Sequence, residues 1–238
     1  MTCRLLLLSN SRDAEGRFLT YPRARIRAFL GERVRSALFV PFAGVMGSWE
    51  EYEARVRPPF AEMGYAITSI HAAADQPAAL YGAEAIVIGG GNTFRLLSQL
   101  YERGLLQAIQ DRVRAGMPYI GWSAGSVLAC PTIRTTNDMP IVQPPSLEAL
   151  GLVPFQINAH YTDAHPPGFQ GETRAERIAE FLELNPEQVV VGLPEGSMLQ
   201  VEQNSVALHG DAGARLFVHG TPPRQVALGE SLDFLLTR

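Results

Sequence analysis

Ser123 stands in the segment Gly121-Trp122-Ser123-Ala124-Gly125, which matches G-x-S-x-G and is led in by the apolar run Tyr119–Trp122. A helix-compatible run, Ala124–Cys130, leads out until Pro131 stops it. Between a strand and a helix this pattern makes a tight turn whose small neighbours leave a serine hydroxyl exposed above the sheet edge. The positive end of the helix dipole then favours negative charge developing beside it. A second segment, Gly89-Gly90-Gly91-Asn92, ends the apolar run Ala85–Ile88. Three glycines permit close backbone approach and leave amides facing a ligand, while Asn92 is placed to cap the next helix. The spacing is not that of the dinucleotide fingerprint. If the two leading strands are parallel, their C-terminal ends share one sheet edge, where α/β folds bind ligands. Amides of Gly91 and Ala124 could then form an oxyanion hole. Such acyl-transfer chemistry requires a base. Of the five histidines, His209 and His219 read as surface or turn residues and His71 as a strand end. His160 and His165 remain, and the residues alone leave both open.

Composition narrows cofactors and partners. All 20 basic residues are arginine, which excludes a P-loop lysine, a pyridoxal Schiff base and a serine–lysine dyad. A net charge of −4, with 18 % charged residues, carries no electrostatic footprint for nucleic acid. Cys3 and Cys130 are too far apart for a redox pair or metal knuckle, and two cysteines are too few for a disulfide scaffold. Histidines and acids do not recur at metal-ligand spacing. The apolar run Leu5–Leu8 stops at Ser9-Asn10-Ser11, too short for a signal segment, and no stretch approaches the ~20 apolar residues that cross a bilayer. The expectation is a soluble, cytoplasmic protein with no cofactor, no metal and no nucleic-acid or membrane partner.

The elements that must position these groups alternate in the first half. Short continuous apolar runs at Leu5–Leu8, Ala37–Val40, Ala66–Ile70, Ala85–Ile88 and Tyr119–Trp122 read as strands buried on both faces. Helical segments lie between them: Trp49–Met63, which Pro58-Pro59 should bend or end, then Thr93–Glu102 and Leu105–Ala115, divided by Gly104. The stretch from Pro131 to Gly171 is loop-rich, with one plausible strand at Leu152–Ile157. Thr173-Arg174-Ala175-Glu176 is a capping box that announces a helix over Arg174–Leu184, with Ala175, Ile178, Ala179 and Leu182 as its apolar stripe. Short runs at Val189–Leu193, Met198–Val201, Val206–His209, Leu216–His219 and Gln225–Leu228 suggest a mostly antiparallel ending. The fold class is α/β: a mostly parallel central sheet flanked by helices, with a β-rich C-terminal portion, in one domain over 1–238.

Several segments resemble peptidase E, the α-aspartyl dipeptidase family of serine peptidases. They are Ser9-Asn10-Ser11, Pro41-Phe42-Ala43-Gly44, Gly89-Gly90-Gly91-Asn92-Thr93-Phe94, Gly121-Trp122-Ser123-Ala124-Gly125, and the run from Cys130 through Thr136-Asn137-Asp138-Met139-Pro140 to Ile141. Gly171-Glu172-Thr173-Arg174 and Gly192-Leu193-Pro194-Glu195-Gly196 complete the collinear set. The resemblance implies a glutamine-amidotransferase-like fold and hydrolysis of dipeptides with an N-terminal aspartate, with Ser123 as nucleophile and His160 as base. Asp138 and Glu195 both match family motifs for the acid. Glu195 follows an apolar run and suits the geometric role, whereas Asp138 is expected to be required for function. Either would fix the imidazole tautomer. Aspartate selectivity needs a cation, which here must be arginine. Arg174 is the first candidate and Arg134 the second, with Asn92, Thr135 and Asn137 adding polar contacts. Expected partners are small Asp-Xaa peptides, and the expected state is a monomer or weak homodimer. A cyanophycinase-like hydrolase of aspartyl–arginine polymers would share the glycine loop and serine turn, but the Thr-Asn-Asp-Met-Pro run argues against it. A non-catalytic binding homologue is disfavoured by the joint presence of serine, histidine and both acids.

Overall fold

The computed structural model describes residues 3–165, 167–168 and 170–237. The chain begins with β1 (Arg4–Leu8), α1 (Arg23–Leu30), β2 (Ser36–Val40), α2 (Trp49–Glu62) and β3 (Ala66–Ser69). It continues through α3 (Gln76–Tyr81), β4 (Ile86–Ile88), α4 (Thr93–Glu102), α5 (Leu106–Arg114), β5 (Tyr119–Trp122) and α6 (Ala124–Leu128). After a long loop come β6 (Gln156–Ala159), α7 (Arg174–Leu184), β7 (Val189–Leu193), β8 (Ser197–Glu202), β9 (Ser205–Gly210), β10 (Ala214–Val218) and β11 (Arg224–Val226).

Seven strands form a sheet in the order β3-β2-β4-β5-β1-β8-β9, and four form a second in the order β11-β10-β7-β6. The first five strands of the large sheet are parallel, while β8 and β9 join antiparallel. The α/β class, the parallel centre and the β-rich ending agree with the sequence reading. In the second sheet β6 and β7 are parallel, and β10 and β11 add antiparallel to them.

Side-chain alternation divides the core. Leu5 and Leu7 of β1, Leu38 and Val40 of β2, and Ile86 and Ile88 of β4 face one cluster, with α4, α5, α6 and the inner face of the second sheet. Leu6, Leu8, Ala37, Phe39 and Val87 face the other, against Ile26 and Phe29 of α1 and Val56 and Phe60 of α2. A sheet covered on both sides needs strands apolar at every position, which is why the runs do not alternate in polarity. Each leucine so buried contributes about 1.5–3 kcal/mol. Helix α7 covers the outer face of the second sheet through Ile178 and Leu182, which pack with Tyr161, Val190 and Phe217.

Four expectations need correction. Of the two outcomes expected of Pro58-Pro59, an end to the helix is overturned: α2 runs through both to Glu62. Val56, Pro59 and Phe60 are buried on one side, and this packing holds the last turn despite two lost amide donors. The strand expected at Leu152–Ile157 is β6, Gln156–Ala159; Leu152, Val153 and Phe155 are buried as loop residues instead. Strand β3 is not buried on both faces, because it lies at the sheet edge and exposes Ala66 and Thr68. On α7 the exposed Ala179 leaves the apolar stripe, and half-buried Phe181 packs there instead.

Candidate active site

The turn carrying Ser123 is built by close contact. Ser123 joins β5 to α6 with φ 53° and ψ −113°, a conformation that costs a non-glycine residue of order 1–3 kcal/mol. Its amide donates to Leu8 O at 3.0 Å. Ser126 Oγ donates to Leu8 O at 2.6 Å and to Gly121 O at 2.9 Å, tying the first turn of α6 to the strand ends. A Cβ at Gly125 would overlap the Ile88 carbonyl of β4, so only glycine fits there. Gly91, with φ 139°, lies against the carbonyl of Ala43 in the same way, and the Asn92 amide donates to that carbonyl at 2.8 Å. The glycine loop and the serine turn therefore meet at one sheet edge. Ala124 opens α6, so its amide has no carbonyl partner within the helix.

His160 follows β6 and also has a positive φ, 53°. Leu19, Ser123, His160 and Gln203 are the non-glycine residues with this property among the described residues; two of them stand face to face here. His160 Nε2 is 3.0 Å from Ser123 Oγ, and His160 Nδ1 is 2.6 Å from Glu195 Oε1. An ionised carboxylate only accepts hydrogen bonds, so Nδ1 carries the proton and Nε2 is left to accept from the serine hydroxyl. That tautomer suits Nε2 to take the hydroxyl proton as the oxygen attacks a carbonyl. The acid comes from the loop directly after β7, so both members of the imidazole–carboxylate pair leave the second sheet while the serine leaves the first.

Sequence reasoning missed the residue that joins those sheets. Ser9 Oγ, fully buried, donates to Leu193 O at 2.7 Å and accepts from the His160 amide at 2.9 Å. Asn10 Oδ1 accepts from the Gly196 amide at 3.0 Å, beside Glu195. The signals were the polar residues that end a buried strand and the place of Ser9-Asn10-Ser11 among the segments of family resemblance; neither assigned a role. Tyr52 was missed as well: its hydroxyl donates to Gly90 O at 3.0 Å and accepts from Trp122 Nε1 at 2.9 Å. Burial pushes its pKa up to about 12, so it stays a neutral brace between the glycine loop and the serine turn.

Asp138 is turned towards α4 rather than towards His160. Its Oδ2 accepts from the Thr93 amide at 2.7 Å, Thr93 Oγ1 at 2.5 Å and Thr136 Oγ1 at 3.1 Å. A carboxylate at a helix N-terminus is favoured by the dipole, and here it anchors the loop beside the serine. Asn92 caps α4 through the Arg95 amide and donates to Met139 O, so both ends of its side chain are engaged. Thr135 is buried and donates to Ile157 O at 2.9 Å. Asn137 donates to Ala159 O and accepts from Asn158 Nδ2. His165 is exposed.

Two cavities meet at Ser123, His160 and Asp138. The smaller, about 250 Å³, also admits Arg174 and Asn137. Arg174 is half-buried at the start of α7, and burial, then the nearby charge of Arg177, draws its pKa below the ordinary value. A guanidinium keeps its proton nonetheless, and no carboxylate among the described residues pairs with this one. Arg134 is exposed and borders neither cavity. No group of three or more His, Cys, Asp or Glu among the described residues is placed to hold a metal ion. No helix among them is long and apolar enough to cross a membrane.

Residues 5–209 match the family described as Peptidase family S51. The chain is 48 % identical over 238 residues to the Peptidase E of Nostoc sp., a match spanning 100 % of this chain and 98 % of that one. It is 50 % identical over 216 residues to the Peptidase E of Salmonella newport, across 91 % of this chain and 94 % of the other. A solved peptidase from an acI-B1 actinobacterium has the same fold, with a TM-score of 0.72 at 18 % identity over 98 % of this chain and 97 % of its own. A family match across most of the sequence, with relatives near half identical almost end to end, means that this chain belongs to peptidase family S51.

Proposed function

We propose that the protein is a serine dipeptidase that cleaves Asp-Xaa through an acyl-enzyme. The observation that carries this reading is the unbroken chain from Ser123 Oγ through His160 to Glu195. Ser123 attacks the carbonyl of the N-terminal aspartyl residue while His160 Nε2 takes its proton. The tetrahedral oxyanion forms against the amides of Gly91 and Ala124, and losing one such donor costs about 2.7–4 kcal/mol in comparable hydrolases. The imidazolium, steadied by Glu195, protonates the leaving amine, and water then clears the ester by the same route reversed. Asp138 positions the loop bordering the aspartyl pocket through Thr93 and Thr136.

Selectivity for aspartate comes from Arg174. A half-buried guanidinium with no ion pair among the described residues, in a cavity of about 250 Å³ beside the nucleophile, suits a short acidic side chain, which it can hold through two parallel hydrogen bonds. Hydrolysis of a panel of Xaa-Leu dipeptides tests the reading. Asp-Leu should be cleaved and Asn-Leu should lag by at least about tenfold, the worth of a charge-assisted hydrogen bond. In Arg174→Gln the preference for Asp over Asn should collapse. An unchanged preference would assign the carboxylate to another arginine.

A further inference from the structure

The larger cavity, about 760 Å³, shares Ser123 with the smaller one but not Arg174, and is lined by four acids and two arginines. Every one of the acids is engaged. Asp13 accepts from Arg17, Glu51 from the Ser48 amide, Asp138 from Thr93, and Glu195 holds His160. Asp13 meets a guanidinium and Glu195 an imidazole, whereas Glu51 and Asp138 are held by neutral amide and hydroxyl donors and keep their charge. Arg12 donates to the Gly16 carbonyl, and neither Arg12 nor Arg55 forms an ion pair among the described residues. Each lies near an aromatic ring that touches Trp122. Arg12 lies 5.9 Å from the Phe18 ring centroid, and that ring meets Trp122 edge-on at 5.9 Å. Arg55 lies 5.9 Å from the Tyr52 ring centroid, and Tyr52 Oη accepts from Trp122 Nε1. Trp122 immediately precedes Ser123, and both guanidinium groups line the cavity that holds the nucleophile, each one aromatic ring removed from Trp122.

We propose that Arg12 and Arg55 form a carboxylate-binding subsite for the residue that leaves as the free amino acid, taking its terminal α-carboxylate. This rests on the reading of the protein as an aspartyl dipeptidase and extends it from the first residue to the second. A residue spans at most ~3.3–3.6 Å of chain, so in a dipeptide the α-carboxylate lies one residue beyond the scissile carbonyl, within the cavity that holds Ser123. Longer peptides present a neutral amide at that point and leave the guanidinium pair unsatisfied. The two arginine sites would thus grip the substrate at both ends: Arg174 on the aspartyl side chain, Arg12 and Arg55 on the terminus. Preference for dipeptides then comes from charge at the far end.

The test compares kcat/KM for Asp-Leu, Asp-Leu amide and Asp-Glu amide at low ionic strength, in the native protein, R12Q, R55Q and the double variant. The native protein should favour Asp-Leu over its amide by about tenfold, the effect of a charge-assisted contact, and added salt should reduce that ratio. In the double variant the ratio should approach one, mainly through KM. R55Q changes an exposed helix position, so it reports on the subsite even if R12Q loosens its loop. An acid-to-amide ratio that is the same in all four proteins overturns the proposal. So does an Asp-Glu amide cleaved as well as Asp-Leu and weakened equally in the double variant, since the cations would then read a side chain. Absence of turnover of every aspartyl substrate by the native protein would overturn the functional reading itself, and the subsite with it.

Discussion

Ser9 shows how much of this site depends on a residue that touches no substrate. Its hydroxyl satisfies a carbonyl at the end of β7 and the amide of His160, so it sets the height of the imidazole over Ser123. Removing it leaves the His160 amide without its partner, at about 1–3 kcal/mol for a buried group so stranded, while Leu193 O keeps the Tyr161 amide at 3.1 Å. Ser9→Ala is expected to lose about that much stability in urea unfolding and to lower kcat more than KM, with Ser9→Thr recovering part of both. A native kcat in a folded Ser9→Ala would show that the imidazole is placed by other means. This role could not be read from the sequence, because the partners lie 184 and 151 positions away. Ser123 was legible, since the constraint on its backbone is local and leaves a glycine on each side. The acid was legible only as a pair of choices. Both Asp138 and Glu195 emerge near the same sheet edge, and only the fold separates the carboxylate on the imidazole from the one on the α4 N-terminus.

At the scale of elements, legibility followed burial. Strands sealed on both faces announced themselves as unbroken apolar runs, and α7 was announced by its capping box, in which Glu176 N donates to Thr173 Oγ1 at 2.9 Å and Thr173 N to Glu176 Oε2 at 2.7 Å. The short helix α1 is arginine-rich, with Ile26, Phe29 and Leu30 as its buried residues; α3 has six residues and buries Leu80. Neither carries enough pattern to be seen. The segment after His160 is tied down by charge instead. Tyr161 Oη donates to Asp163 Oδ1 at 2.5 Å, and Arg215 Nε of β10 donates to Asp163 Oδ2 at 3.1 Å. The Tyr161 bond, with help from Arg215, holds the Asp163 pKa below its ordinary 3.8. A depressed folded-state pKa stabilises above the unfolded value and is lost as pH falls through the folded one. Asp163→Asn should therefore be less stable than the native protein at neutral pH, and the two should converge in acid below the ordinary aspartate range. Chemical denaturation at neutral and acidic pH measures this; an equal gap at both would remove the carboxylate's charge from the account.

The whole molecule joins two sheets through one continuous apolar cluster that runs from Leu5 and Leu7 of β1 to Val189 and Val191 of β7. The β-rich ending was legible in the spacing of its runs. Its partition between two sheets was not, because β8 and β9 extend the first sheet while β7, β10 and β11 build the second, and strand order is a long-range property. Cys130 lies in that shared cluster, fully buried, and burial pushes its thiol pKa up to about 12. At pH 8 it should resist a thiol-directed reagent in the native protein and react only as the core opens. Labelling across a denaturant series should track the loss of tertiary structure; rapid labelling without denaturant would contradict this packing.

The architecture brings Ser123 from one sheet against His160 and Glu195 from the other, and hydrolysis is expected to depend on that contact. That dependence is tested most directly by Asp-Leu hydrolysis in the native protein and in Ser123→Ala, with thermal unfolding confirming that the variant folds. Loss of a triad nucleophile has cost about 2 × 10⁶ in kcat in a serine protease, and a fall of at least about a thousandfold is expected here. Turnover within a few-fold of the native rate by the folded variant would contradict the account.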